Sequence, residues 1–340
     1  MMRPLFYLLA YIPGITALST LYLGGYWTWC VPVMIFGIVP LLELFVHGTP
    51  EVRTSHQDQL WKTNRLFQWV LYGIVPLQVS VVIALIVGCA SHRYSGLEWL
   101  GAVVTTGIAC GMYGLNVGHE LCHRNSRQGR IAALILMATS LYPHFLLEHT
   151  RGHHRHVATP MDPATAQLGQ WVYGFWVQSV IGGFRSAWSI DHKHVLRVWS
   201  PTLLVIGGVG FICGGSALFS WICSAVIGIG LLETVNYLEH YGLTRKKMPN
   251  GKYERPAPQH SWNANHPLGR ALLFELTRHS DHHAYPGRQY QVLRSHENAP
   301  RLPSGYPGMI LCALVPPVFC GLMNHHLEQE QQRLKHLHSA

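Results

Sequence analysis

The stretch LEWLGAVVTTGIACGMYGLNVGHELCH, residues 97–123, stays apolar for some twenty residues and then closes on two histidines four positions apart. About 20 mostly apolar residues are enough for a helix to cross the hydrocarbon core of a bilayer. Residues at i and i+4 stack on one helix face, roughly 5–6 Å apart between Cβ atoms, so His119 and His123 can reach one metal ion through bonds of about 2 Å. The stretch therefore reads as a membrane helix that ends in a pair of metal ligands.

Working outward, apolar runs of similar length lie near 5–25, 27–46, 66–90, 97–117, 198–213 and 217–235. Of the 340 residues, 49% are apolar and 12% charged, about half the charge of an average soluble domain. The expected fold class is an all-α polytopic membrane protein with six transmembrane helices in a single domain spanning 1–340. The glycines at Gly24-Gly25 and Gly214-Gly215 make tight hairpins of the first and last pairs.

The positive-inside rule orients these spans. The connection at 48–65 carries Arg53, Lys62 and Arg65, and the region 119–197 carries eight Arg and Lys, among them Arg124, Arg127, Arg151 and Arg155. The three opposite loops hold only Arg93. Both termini and the segments 119–197 and 237–322 are thus expected on the cytosolic face of a bacterial inner membrane. The same bias accounts for the net charge of +9, and no basic helix or aromatic RNA-binding motif argues for nucleic acid. Residues 154–197 read as interfacial helices, 248–267 as a proline-rich loop and 324–340 as a polar, fraying tail. The apolar segment 131–147 is nearly long enough to cross, yet a crossing would separate the histidines before it from those after it. It is expected to be re-entrant, interfacial or packed under the site.

Nine histidines form four clusters: His119 and His123; His149, His153 and His154; His240; His279, His282 and His283. In each triad the spaced pair is expected at one metal, with His154 and His283 turned toward a second. HELCH has the HExxH form of zinc proteases, but those enzymes need one further ligand, not seven. The surplus favours two metals with four or five imidazoles each. None of the eight cysteines forms a CxxC pair, which argues against iron–sulfur and blue-copper ligation. Glu120, Glu148, Asp162, Glu239 and Asp281 lie near the clusters and are candidates to orient imidazole N–H groups. Solitary histidines such as His47, His56, His92 and His144 read as capping or interfacial residues, and His325, His326, His336 and His338 as solvated ones. Ile35 and Phe36, bulky residues on the second span, are candidates for the closed end of a substrate channel.

The motifs HELCH (119–123), EHTRGHHRHVATPMDPATA (148–166), NYLEHYGL (236–243) and LTRHSDHHAYPGRQYQVL (276–293) resemble, in this order, the alkane 1-monooxygenase family of integral-membrane hydroxylases. That family is grouped with the xylene monooxygenases and, more distantly, the membrane fatty-acid desaturases. The resemblance covers roughly 100–320. It implies a non-haem di-iron centre held by His119, His123, His149, His153, His154, His240, His279, His282 and His283. It also implies terminal hydroxylation of medium or long n-alkanes with dioxygen as co-substrate, and electrons from a separate rubredoxin fed by its reductase. A xylene-type methyl hydroxylase and a fatty-acid desaturase or hydroxylase are the alternatives. A metal transporter would place its ligands at mid-membrane depth, not at helix ends.

Overall fold

The computed structural model describes residues 3–46, 48 and 53–339, with side chains to Leu334; His47, and the side chains of His336 and His338, fall outside this range. Among the described residues there are helices, short irregular segments and two isolated bridges, Lys247 with Tyr253 and Asn263 with Arg301. Five helices are long and apolar enough to cross a membrane: α1 (Arg3–Leu23), α2 (Gly25–Phe45), α4 (Arg65–Ala90), α5 (Gly96–Cys122) and α8 (Val172–His240). Between α2 and α4 lies α3 (Ser55–Thr63), which Thr54 and Gln57 cap reciprocally.

Two helix ends lie beyond the expected span ends, each because the helix continues into its motif. α5 runs on to Cys122 and so contains His119, and α8 ends at His240 itself, five residues past the expected end. α8 also begins at Val172, and backbone breaks at Asp191 and at Gly214 (φ 85°) divide it into 172–190, 192–213 and 215–240. Positive φ suits glycine, which has no Cβ to clash, so the Gly214-Gly215 hairpin forms where expected. In 172–190 the interfacial aromatics Phe184 and Trp188 are exposed, as is Trp171 just before it. Phe175 instead is buried, its ring 5.4 Å from that of Tyr237.

α5 is the centre of the bundle: 83% of its apolar window is buried, against 11–39% for the other four. The 215–240 part of α8 lies directly on it. A Cβ on Gly107 would come within 2.6 Å of Ile227, and one on Gly228 within 2.6 Å of Cys110. Small residues of this kind let helix backbones approach closely in lipid. Ser224 Oγ donates to the Val103 carbonyl across the same contact. The close approach brings the ends of both helices, and with them His119 and His240, to one place.

The ambiguous segment is resolved by α6 (Arg127–Thr139), whose 13 residues reach about 20 Å, short of the roughly 30 Å of a bilayer core. Ser126 caps its start. Its far end stops midway along its neighbours: Trp221 Nε1 donates to the Thr139 carbonyl (2.8 Å), and Ser140 Oγ donates to that of Cys110 (3.1 Å). The chain reverses at Leu141, whose φ is 53°, and returns through α7 (145–156) to the histidines. Segment 131–147 therefore enters the bundle and comes back.

The C-terminal part contributes α9 (Pro267–Leu272), α10 (His279–Ala284), α11 (Tyr306–Ala313) and α12 (Pro316–Ser339). The fraying tail is a correction: α12 is helical to Ser339 because Phe319, Met323 and Leu327 bury an apolar face. Arg333 ties it down through Glu330 (2.7 Å) and the Ala299 carbonyl (2.9 Å).

Six residues cannot sustain an isolated helix, so α10 is held by its surroundings. Buried Glu275 accepts from Arg270 Nε (2.7 Å) and Tyr7 Oη (2.7 Å) and lies 3.3 Å from Arg278. Asp58 of α3 joins Arg53 and Arg294, both at 3.0 Å. Burial alone pushes the Glu275 carboxyl up, but Arg278 and Arg270 outweigh it and hold it below the usual carboxylate range. Its stabilisation is thus present above the unfolded value near about 4.3 and is lost as pH falls through the lower folded value. Glu275→Ala should destabilise the protein by about 3–5 kcal/mol at neutral pH, and by less in acid. A thermal unfolding midpoint in detergent that does not move would refute this role.

Candidate metal centre

α5 delivers His119 in its last turn, and His123 follows one turn on. α7 delivers His149, His153 and His154, the last turn of α8 His240, and α10 His279, His282 and His283. All nine meet, and they meet through one kind of atom. The Nε2–Nε2 separations are His119–His282 2.9 Å, His282–His154 3.0 Å, His154–His149 2.9 Å and His149–His123 3.1 Å. A second chain runs His153–His283 3.2 Å, His283–His279 2.8 Å and His279–His240 3.2 Å. Within each group the candidate ligand atoms all lie within 4.8 Å of one another.

These distances fit a bound cation. Two nitrogens at right angles on a metal, each about 2.1 Å away, stand about 3.0 Å apart, whereas tetrahedral ligands stand about 3.4 Å apart by the same geometry. A group of five and a group of four imidazoles at the shorter spacing suit metals with five or six ligands better than structural zinc. Burial, then the neighbouring imidazoles, holds His149, His154, His279, His282 and His283 well below the usual histidine range. Burial and Arg124 push His123 down to about 4. Neutral imidazole is the form that binds metal. Lone pairs converging in this way repel one another unless a cation lies between them.

The partition corrects the expectation from spacing. The first group is His119, His123, His149, His154 and His282; the second is His153, His240, His279 and His283. His149 and His153 are thus divided although they are four apart, and His154 joins His149. The reason is local: residues His149–His153 form a π-turn, so the face shared with His149 is reached five residues on, not four. In α10 the pair at one group is His279 and His283, while His282 faces the other.

The five nearby carboxylates divide as well. Asp162 Oδ2 accepts from His153 Nδ1 at 2.9 Å and is itself held by Thr165. Burial pushes His153 down, but Asp162 outweighs it and the imidazole ends above its ordinary range. Glu239 accepts from Tyr306 Oη (2.8 Å) and lies 3.1 Å from His279 Nε2, so it faces the convergent nitrogens rather than an outer N–H. Glu120 accepts from Arg124 (2.5 Å) and the Tyr290 amide, and Asp281 from Arg288, His296 and the Arg294 amide. Both hold the loop after α10, and neither meets one of the nine clustered imidazoles. Glu148, pushed up to about 8 by burial and then by Asp162, packs beside Gly152 and Ser186. His144, away from both groups, is buried and stacks on Trp199.

Two spaces adjoin the nitrogens. A chamber lined by His119, His149, His279, Asn116 and Asn236 lies against them. Through Asn116, Leu232, Val235 and Leu276 it continues into an apolar cavity whose wall includes Ile35, Phe36, Met112 and Ile310. Asn116, the one amide in that wall, is held by the Leu273 carbonyl at 3.0 Å. Two π-turns that sequence periodicity did not anticipate, Met34–Ile38 and Cys110–Leu115, supply residues to this wall. Glycines inside otherwise apolar helices (Gly37, Gly111, Gly114) were the only signal available.

A long apolar helical bundle ending in a histidine cluster defines a class, and the family described as fatty acid desaturase matches residues 97–312 of this chain. Among individual relatives, the alkane 1-monooxygenase 1 of Alcanivorax borkumensis is 36% identical, over 88% of this chain and 77% of its own length. The alkane 1-monooxygenase 2 of Pseudomonas aeruginosa is 35% identical over 88% and 83%. The xylene/toluene monooxygenase hydroxylase component of Pseudomonas putida is 28% identical over 92% and 86%. The chain belongs to the alkane 1-monooxygenase family.

Because Asp162 fixes His153 through its outer nitrogen, Asp162→Asn should weaken metal retention about 10–100-fold without unfolding the protein. Metal analysis after graded chelation checks this; retention equal to the parent would show that the contact is not needed.

Proposed function

We propose that this protein is a membrane di-iron monooxygenase that hydroxylates the terminal methyl of medium or long n-alkanes. The observation that carries the reading is the meeting of two Nε2 clusters with one end of an apolar cavity. We assign His119, His123, His149, His154 and His282 to one iron and His153, His240, His279 and His283 to the other. Iron held by imidazoles supplies the redox chemistry that activates dioxygen.

The chain's own residues do the rest. Leu232, Val235 and Leu276 admit a methyl group to the chamber and exclude water, while the cavity beyond binds the alkyl chain. Each buried methylene contributes roughly 0.8 kcal/mol, so cavity length sets chain length. In this reading α8 crosses twice, at 192–213 and 215–240, giving six spans, with the site and both termini cytosolic. Support comes from charge: the exposed Arg127, Arg130, Arg151 and Arg155 lie on the site side, and the Gly24 and Gly214 hairpins carry no basic residue. The same arginines flank His123 and His154, the two least buried ligands. They suit docking of a separate acidic electron donor, for which rubredoxin with its reductase is our assignment.

Purified protein should contain two irons per chain and, with rubredoxin, reductase and reductant, convert n-alkanes of graded length to 1-alkanols. One zinc and no iron would sink the reading, and xylene oxidised in preference to alkanes would move it to the aromatic-methyl branch. His240→Ala should abolish turnover; near-normal activity would remove it from the ligand set. Phe36→Ala should lengthen the preferred alkane, each added methylene being worth about fourfold in binding. An unchanged product profile would show that Phe36 does not bound the substrate.

A further inference from the structure

A second buried space touches the metal chamber from the side away from the apolar cavity, and the hydroxylation itself makes no use of it so far. Unlike the alkane cavity it is lined largely by polar side chains, among them Tyr142, His144, Glu148, Ser179, Glu233 and Asn236. Glu233 is at its centre and 1% exposed. Tyr142 Oη lies 3.0 Å from one carboxyl oxygen, while Ser179 Oγ (2.5 Å) and Asn236 Nδ2 (3.1 Å) meet the other. Among the described residues no arginine, lysine or histidine forms an ion pair with it. A carboxyl group within a membrane bundle is costly and is usually functional.

The hydrogen-bonding set serves both protonation states. Hydroxyls donate to a carboxylate and accept from a carboxylic acid, so Tyr142 and Ser179 can turn as the proton comes and goes. Glu233, Asn236 and His240 are three and then four residues apart, hence on one face of the 215–240 helix. Asn236 and Phe145 line both this space and the metal chamber. On the other side Pro163 lines both this space and an open groove whose wall includes Thr159, Asp162, Gln178 and Ser186. Gly182 lets Pro163 seat there, since a Cβ would fall 2.5 Å from the Pro163 Cβ. The polar space thus adjoins the groove at Pro163 and the metal chamber at Phe145 and Asn236.

Monooxygenation needs such a route. One alkane, one dioxygen, two electrons and two protons give one alcohol and one water; the electrons come from the donor protein, and the protons must come from bulk water. The alkane cavity is apolar along its length and cannot carry them. We propose that the Tyr142–Ser179–Glu233–Asn236 space is the proton-delivery route, with Glu233 taking a proton from groove-side water and passing it to water in the chamber beside His119 and His279. This inference rests on the monooxygenase reading above.

The test uses full-length iron-loaded protein with its electron donor, comparing the parent with Glu233→Gln, Glu233→Asp and Ser179→Ala. Glu233→Gln should lower kcat about a hundredfold, within the usual range for a proton-transfer group, with an unchanged alkane KM and a larger rate loss in D2O. Glu233→Asp should recover much of the rate, and Ser179→Ala should fall between. Infrared spectra of the resting iron-loaded protein, without electron donor or alkane, supply a readout independent of turnover. The carboxyl band lost in Glu233→Gln should shift on transfer to D2O at a rate faster in Pro163→Ala. Parent-like kcat and D2O effect in Glu233→Gln would overturn the proposal, as would equal loss of bound iron in the Gln and Asp variants, which marks a structural role. A parent protein that binds no iron and oxidises nothing would instead overturn the monooxygenase reading.

Discussion

Everything in this structure answers to the convergence of nine imidazole nitrogens at the ends of its buried helices. Each must be neutral to bind metal, and each presents a lone pair to its neighbours at about hydrogen-bond distance. The cluster can persist only where cations offset that repulsion and where the backbone fixes every ring. The bundle meets the second demand with helix ends. α5 and the last part of α8 pack at glycine distance and deliver His119 and His240 side by side. The re-entrant α6 returns the chain to the face it left, so that α7 can add three more ligands.

The short α10 carries the remaining three and could not hold them alone. Its position depends on charges and amides around it: Asn263 accepts from the Ser280 amide and donates to its hydroxyl, Arg278 donates to the Leu293 carbonyl, and Asp281 gathers Arg288, His296 and Arg294. Several carboxylates near the ligands are therefore concerned with the loop rather than with the imidazoles. Among the described residues, Asp162 alone of the five nearby carboxylates grips the outer nitrogen of a clustered imidazole. Glu239 faces inward, toward the same space as the convergent nitrogens.

Two media of opposite character reach the centre. One is aliphatic, bounded by α2, α5, α8 and α11; the other is polar, bounded by α7 and both outer parts of α8. They meet only at the chamber, where Asn116 marks the boundary of the first and Asn236 that of the second. Keeping them apart lets a hydrocarbon and polar reactants approach the same atoms from different sides. Three π-turns, at Met34–Ile38, Cys110–Leu115 and His149–His153, adjoin these spaces, in keeping with the tendency of such turns to occur at functional sites.

The helices that could cross a membrane, the glycine hairpins and the identity of the nine histidines were legible in the sequence, because apolar run length and residue type are local properties. Even the return of segment 131–147 followed from requiring His123 and His149 to meet. What the sequence could not determine was which histidine groups with which. The i, i+4 rule presumes α-helical rise, and the π-turn at His149–His153 broke it, sending His153 to one group and His154 to the other. Nor could local pattern tell a polar tail from a docked helix, or a carboxylate that steers an imidazole from one that ties a loop. Those outcomes depend on partners more than a hundred residues away in the chain, such as His282 for His119 and His283 for His153, and only the packed bundle brings them within reach.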